Sequence, residues 1–173
     1  MTTLTEAMVI PPTGRVLGID LGAKRVGVAI SDSSQTLATG LAVLEGLPAQ
    51  VDDDIAALVR EWEVAGVVVG LPLSMSGAEG AAASRARQRV EKLRAVLGVA
   101  GVAGVAVDTG VAVDTVDERL STVTAAAALR AGTTAGPGAA GGRRRRAVVD
   151  KVAAAVLLQG WLDARKSAGW ARS

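Results

Sequence analysis

The chain has 173 residues, which suits a single domain that is large enough to bury an apolar core. It contains no cysteine and no histidine, which excludes disulfides, thiolate metal sites and histidine as a general base. The net charge is only +2, and three tryptophans are the only aromatic residues. This composition disfavours binding of nucleic acid by base stacking on an aromatic platform, but it leaves phosphate contacts open.

The ends of the chain are predicted to be tails around one domain. Residues 1–13 read as a flexible N-terminal tail that ends at Pro11 and Pro12, residues 14–166 as the domain and 167–173 as a C-terminal tail. No basic region precedes the first apolar stretch, which argues against a signal peptide. The apolar segment 99–116 contains Asp108 and Asp114, which argues against a membrane span. We therefore expect a cytoplasmic protein without membrane contact.

Two short apolar runs, VLGID at 16–20 and VGVAIS at 26–31, predict a β-hairpin. The intervening LGAKR contains Gly22 and reads as a tight turn. In a strand, Gly18 and Asp20 lie on one face. Asp20 is thus predicted as an acid at the end of a mostly buried strand, and Gly18 leaves room for another group to approach.

The middle of the chain predicts a helix, a strand and a second helix. Residues 52–63 carry apolar side chains at helical spacing, and AGVVVG at 65–70 reads as a strand buried on both faces. Residues 82–97 form a helix with one apolar stripe, made by Ala86, Val90, Leu93 and Leu97. Arg85, Arg89 and Lys92 lie on another face, which we expect to be solvated.

The last third begins with a strand over 111–116, followed by a helix over 121–130. The sequence AVDT occurs at both 106–109 and 112–115, so the register of this strand stays open. Residues 132–142 predict a mobile loop rich in glycine and alanine, and 149–165 a final helix. The order of elements indicates an α/β fold, with a mixed central sheet flanked by helices.

Three acidic positions end or begin separate elements and are candidates for a metal site. Asp20 also fits a turn aspartate, and Asp150 also fits an acid in the first turn of the final helix. Ala153 and Ala154 lie one turn beyond Asp150 and favour an inward orientation of that acid. Asp117 and Glu118 lie on opposite faces if the strand continues through them, so only one of the two can join Asp20.

Carboxylates without histidine or cysteine suit a hard divalent cation. Two strand-end carboxylates and one from a helix can hold one or two Mg²⁺ ions, which can activate water and stabilise the leaving oxygen of a phosphodiester. Several cations near these acids are candidates for contacts with phosphate groups. They are Lys24, Arg25, Arg119, Arg143, Arg144, Arg145 and Arg146.

Four ordered motifs resemble the bacterial YqgF/RuvX family: GIDLGAKRVGVAISD, VVVGLPLSMSG, VDERLST and VDKVAAAVLLQGWLD. The resemblance covers 15–165 and implies a ribonuclease H-like fold. It places the family's proposed acids on Asp20, Glu118 and Asp150, with Asp117 as the less favoured middle ligand. It also implies a divalent metal, Mg²⁺ or Mn²⁺, and a substrate of structured RNA or junction DNA.

The leading hypothesis is a metal-dependent nuclease that trims the 5′ end of precursor 16S rRNA. One alternative is a Holliday-junction resolvase, which requires a dimer to place two sites on one symmetric junction. Another is a non-catalytic RNA-binding factor of ribosome assembly, and either a monomer or a homodimer is compatible with the chain. An actin-like ATPase is disfavoured, because such proteins pair two domains around the nucleotide and this chain holds one.

Overall fold

The computed structural model describes residues 9–71, 80–99, 111–117 and 139–169. Across these ranges a five-stranded mixed sheet has two helices on one face and one long helix on the other. The fold predicted from the sequence, an α/β domain with a mixed sheet between helices, is therefore confirmed. The helix predicted over 121–130 lies outside the described residues.

The first three strands form an antiparallel meander. Strands β1 (Val16–Leu21) and β2 (Arg25–Ser31) make the predicted hairpin, and β3 (Ala38–Glu45) pairs with β2. The sequence analysis did not predict β3. This strand lies at the sheet edge and its residues are half-buried or exposed, although it contains the apolar run LAVL at 41–44.

The other half of the sheet is parallel. Strand β4 (Gly66–Leu71) pairs with β1, and β5 (Ala112–Asp117) pairs with β4, which gives the order β3-β2-β1-β4-β5. The AVDT copy at 112–115 is the one that lies in β5. Because parallel strands run in the same direction, the C-terminal ends of β1, β4 and β5 lie at one edge of the sheet, which we call the carboxyl edge.

Two helices cover one face of the sheet. Helix α1 (Pro48–Glu61) begins four residues before the predicted start, because Pro48 is well tolerated in a first helical turn. Helix α2 (Ala81–Val99) buries the predicted apolar stripe, and Leu93 is only 1% exposed. Ile55 of α1 joins Leu93 in one core cluster with the apolar side chains of this sheet face.

Helix α3 (Ala139–Ser167) covers the opposite face and is much longer than predicted. It begins ten residues before the expected start at Val149, so the predicted loop is wrong for residues 139–142. Glycine content suggested a loop, but the four arginines that follow are good helix formers. Packing of the downstream turns against the sheet stabilises the helix. Extending an existing helix through residues 139–148 costs less free energy than nucleating a new one.

The N-terminal segment also differs from the expectation of a flexible tail up to residue 13. Ile10 is 3% exposed and belongs to the core cluster on the α3 face. Gln35 Nε2 donates hydrogen bonds to the carbonyls of Pro11 and Gly14, at 2.9 Å and 3.0 Å. Arg165 donates to the carbonyl of Ile10. The core packing of the described residues therefore includes Ile10. Among the described helices, none is long and apolar enough to cross a membrane.

Candidate metal and nucleic-acid site

Asp20 lies near the end of β1 on the face that α3 covers. Val16 of the same strand packs with Leu158 of α3, and strand alternation places Gly18 and Asp20 on the same face as Val16. Across the hairpin, Asp20 is paired with Gly27 of β2. The predicted strand-end position of Asp20 is thus confirmed, at the carboxyl edge of the sheet.

Three glycines let the backbone of α3 approach the sheet closely. A Cβ at Gly27 would lie 2.3 Å from the carbonyl oxygen of Asp150, and a Cβ at Gly18 would lie 2.7 Å from Cβ of Leu158. On β3, a Cβ at Gly40 would lie 2.8 Å from Cβ of Lys151. Any larger residue at these positions would push α3 outward, so the glycines fix the depth at which Asp150 is held.

Asp150 lies over Gly27, the residue paired with Asp20, so the two acids flank the same glycine. This places two of the acids that the sequence singled out beside the same residue of the sheet. The alternative of a first-turn acid stabilised by the helix dipole is wrong, because Asp150 is eleven residues beyond the start of α3 at Ala139. Ala154, one turn later, is fully buried, which agrees with the predicted small inward residue.

Arg25 is a cation that contacts one acid of this pair directly. Its Nε donates a hydrogen bond of 2.7 Å to Oδ2 of Asp150, and each side chain is 26% exposed. Arg25 is therefore held in an ion pair rather than only in solvent. An ion pair at this distance neutralises and orients the Asp150 carboxylate.

Of the two middle acids, only Asp117 is described. It is the last residue of β5, and Val113 and Ala112 show which way the strand alternates. Val113 packs with the α1 and α2 cluster, whereas Ala112 belongs to the α3 cluster. Alternation places Asp117 on the side of Val113, opposite to Asp20. Glu118 and Arg119 lie outside the described residues, and Glu118 stays the predicted third ligand.

The remaining candidate cations lie on two elements. Lys24 is exposed in the turn between β1 and β2, and the four consecutive arginines of α3 are exposed on helical backbone. On a helix, Arg146 lies one turn before Asp150 and Arg143 two turns before it, on the same side. Arg144 and Arg145 lie on other sides of the helix. The four arginines thus do not form one uniform patch around Asp150.

Two contacts near these elements were missed by sequence reasoning. Isolated glycines inside strands are a recognised signal of close backbone approach, and this signal was used for Gly18 but not for Gly27. Arg89, expected to be solvated, instead pairs with the buried Asp52 through Nη2 and Oδ1 at 2.8 Å. No sequence signal predicts that contact, because the partners are on separate helices.

The donor set fits a hard divalent cation. Asp20 and Asp150 supply carboxylate oxygens on two sides of Gly27, and such oxygens are the ligands that Mg²⁺ and Mn²⁺ prefer. Within 9–71, 80–99, 111–117 and 139–169, no group of three or more acids is close enough to hold a metal. Glu118, the predicted third ligand, lies outside these ranges.

Comparison with solved structures identifies the fold. The chain resembles the Thermus thermophilus RuvC structure in complex with a Holliday junction substrate, with a TM-score of 0.53 and 16% identity, over 89% of this chain and 96% of that one. A second Thermus thermophilus RuvC structure gives a TM-score of 0.51 at 14% identity, over 88% and 96% of the two chains. At such identities the likeness shows the fold alone, which is ribonuclease H-like.

Sequence comparison identifies the family. Residues 14–164 match the family described as "RuvX: Holliday junction resolvase". A relative from Anaeromyxobacter sp. (strain Fw109-5), named "Putative pre-16S rRNA nuclease", is 45% identical over 87% of this chain and 98% of its own length. A Nocardia farcinica relative of the same name is 41% identical over 91% and 82% of the two chains. The chain belongs to the RuvX family, as its four motifs indicated.

Proposed function

We propose that this protein is a metal-dependent nuclease that processes the 5′ end of precursor 16S rRNA in the cytoplasm. The observation that carries the proposal is the placement of Asp20 and Asp150 on two sides of Gly27, at the carboxyl edge of the sheet. The names of the Anaeromyxobacter and Nocardia relatives support the choice of substrate. The absence of histidine and cysteine from the chain agrees with chemistry based on carboxylates.

Each proposed residue has a distinct task. Asp20, Glu118 and Asp150 would hold Mg²⁺ or Mn²⁺, which when bound supplies a Lewis acid that stabilises negative charge on the reacting phosphate. Arg25 orients Asp150 through their 2.7 Å hydrogen bond. Lys24, exposed on the adjacent turn, is placed to contact the phosphate backbone next to the site.

The test is cleavage of precursor 16S rRNA by purified protein with Mg²⁺ or Mn²⁺. We expect Asp20→Asn and Asp150→Asn each to lower the cleavage rate by a factor of about 100 or more, since each removes a charged ligand. Asp163→Asn is the matched control, because Asp163 is an exposed acid of the same helix α3. Equal cleavage by wild type and Asp20→Asn would contradict the proposed mechanism.

Junction resolution is a second candidate, favoured by the description of the family and by the likeness of fold to RuvC in complex with a junction. It requires a homodimer, because a symmetric four-way junction needs two cuts at related positions. The same preparations should therefore be assayed on four-way DNA junctions, with the oligomeric state measured by analytical ultracentrifugation. A monomer that leaves junctions intact but cuts precursor rRNA would reject this candidate.

RNA binding that survives loss of the acids, without cleavage, would instead indicate a non-catalytic assembly factor.

A further inference from the structure

A cleft of about 370 Å³ lies beside the turn that follows Asp20, and we call it the turn pocket. It is bordered by the β1–β2 turn, by the segment that leads from β3 into α1, and by α2. Its apolar wall consists of Leu21, Val26, Leu44, Val51 and Ala86. Several of these side chains belong to the cluster under α1 and α2, so the turn pocket opens on the sheet face opposite to Asp20.

The rim of the turn pocket is cationic. Lys24 from the turn and Arg85 and Arg89 from α2 line it, and no acid is among the described residues that do so. Lys24 and Arg85 are exposed. This charge favours an anionic ligand, because three cations held around one concave surface repel one another less when an anion is bound between them.

One of the three cations, Arg89, is held in place by an ion pair with a buried acid of α1. Asp52 of α1 is 5% exposed and its Oδ1 lies 2.8 Å from Nη2 of Arg89. Burial raises the pKa of Asp52, and the neighbouring guanidinium of Arg89 opposes that shift. The pair holds Arg89 at the pocket wall and offsets part of its charge, whereas Lys24 and Arg85 are exposed at the rim.

An apolar wall beside a cationic rim suits a nucleotide. A base presents a flat surface that packs well on aliphatic side chains, and a phosphate is an anion that lysine and arginine bind well. The volume falls within the range of small-molecule sites, about 300–1,000 Å³. The turn from Leu21 to Lys24 lines the pocket and directly follows Asp20, so an RNA strand that occupies both must pass around this turn at the edge of the sheet.

We propose that the turn pocket binds a single nucleotide of the RNA strand next to the nucleotide that is cut. Its phosphate contacts Lys24 and Arg85, and its base packs on the wall formed by Leu44, Val51 and Ala86. This inference rests on the proposed function for the identity of the strand. The residues that would recognise the nucleotide, however, all line the turn pocket and are not the proposed metal ligands.

The test measures binding of labelled single-stranded RNA by fluorescence anisotropy in EDTA over a range of salt concentrations, so that cleavage plays no part. Arg85→Gln should weaken binding three- to tenfold and reduce the slope of log K against log salt by about 0.7, the value for one phosphate contact on a single strand. Arg60→Gln is the matched control, because Arg60 is an exposed arginine of α1 that does not line the pocket. Its slope should equal that of wild type.

A scan with single abasic sites along the same RNA tests the packing of the base. Wild type should lose affinity at one position, and Arg85→Gln should lose much less there because the phosphate is no longer held. Equal slopes for the Arg85 and Arg60 variants would overturn the inference, as would an abasic scan without any sensitive position. A free mononucleotide that binds as tightly as the RNA would also overturn it, because the pocket would then serve a separate ligand. None of these outcomes depends on catalysis, so the proposed function stands or fails separately.

Discussion

Arg25 Nε and Asp150 Oδ2 are 2.7 Å apart, although 125 positions separate the two residues in the chain. The contact joins the first residue of β2 to the middle of α3, directly beside the glycine that both candidate acids flank. A carboxylate oxygen that accepts a hydrogen bond from arginine is also an oxygen that a divalent cation would bind. In the proposed site, Arg25 would orient Asp150 before the metal binds and would compete with the metal for Oδ2.

Removing Arg25 should therefore strengthen metal binding. We expect Arg25→Gln to raise the affinity for Mn²⁺ about three- to tenfold, which corresponds to the modest energy of about 1 kcal/mol of a partly exposed ion pair. The measurement is isothermal titration calorimetry of the RNA-free protein. Lys24→Gln changes the net charge equally at the neighbouring position and should have a smaller effect. Equal effects of the two variants would show that only the general charge matters.

Gly27 should tolerate no side chain. Gly27→Ala places a Cβ 2.3 Å from the backbone oxygen of Asp150, and since backbone cannot rotate away, α3 must shift. We expect the free energy of unfolding to fall by about 2–3 kcal/mol. Gly142→Ala is the control, because a Cβ there meets nothing within 4 Å and alanine favours the helix by about 0.5–1 kcal/mol. Urea denaturation of both variants gives the two differences, and a tolerant Gly27 would contradict the close packing.

The arginines of α3 should differ in their effect on RNA binding. Arg146 lies one helical turn before Asp150, whereas Arg144 points to another side of the helix, and both are exposed. We expect Arg146→Gln to weaken RNA binding about threefold or more and Arg144→Gln to change it less than twofold. Anisotropy measurements at one salt concentration are sufficient. A larger effect of Arg144→Gln would indicate that the RNA crosses a different face of α3.

Asp32 should stabilise the fold in a manner that depends on pH. Hydrogen bonds from Ser34, Thr36 and the backbone of Leu37 hold the pKa of Asp32 far below its ordinary value of 3.8. Because the pKa is lowered in the folded state, the stabilisation is complete above pH 3.8 and is lost as the pH falls below it. We expect Asp32→Ala to cost about 1 kcal/mol at pH 7, since the site is exposed.

The difference between wild type and Asp32→Ala should shrink at pH 3 and below, as measured by urea denaturation at each pH. Glu61→Ala removes an exposed acid at the end of α1 and serves as the control. Its effect should be small at both pH values. A constant cost for Asp32→Ala over this range would show that the carboxylate charge is not the stabilising feature.

The strands and helices with strong patterns could be predicted from the sequence. β1, β2 and β4 are short apolar runs that are buried on both faces, and the stripe of α2 repeats at helical spacing. Edge strand β3 was not predicted, although its run LAVL at 41–44 is as apolar as those of the inner strands. The first ten residues of α3 escaped prediction because glycine and a dense run of charge suggest a loop, whereas helix propagation depends on packing further along the chain.

For the candidate site, the sequence by itself determined which residues have suitable chemistry. It singled out Asp20 and Asp150 from residue type, from their places at element boundaries and from the family motifs. Only the tertiary structure decided that Gly27 lies between them and that Arg25 bonds Asp150. The ion pair between Arg89 and Asp52 at the turn pocket is likewise visible only in the tertiary structure. Local patterns record the tendencies of neighbouring residues, but contacts between distant residues depend on how strands and helices pack, which no local pattern records.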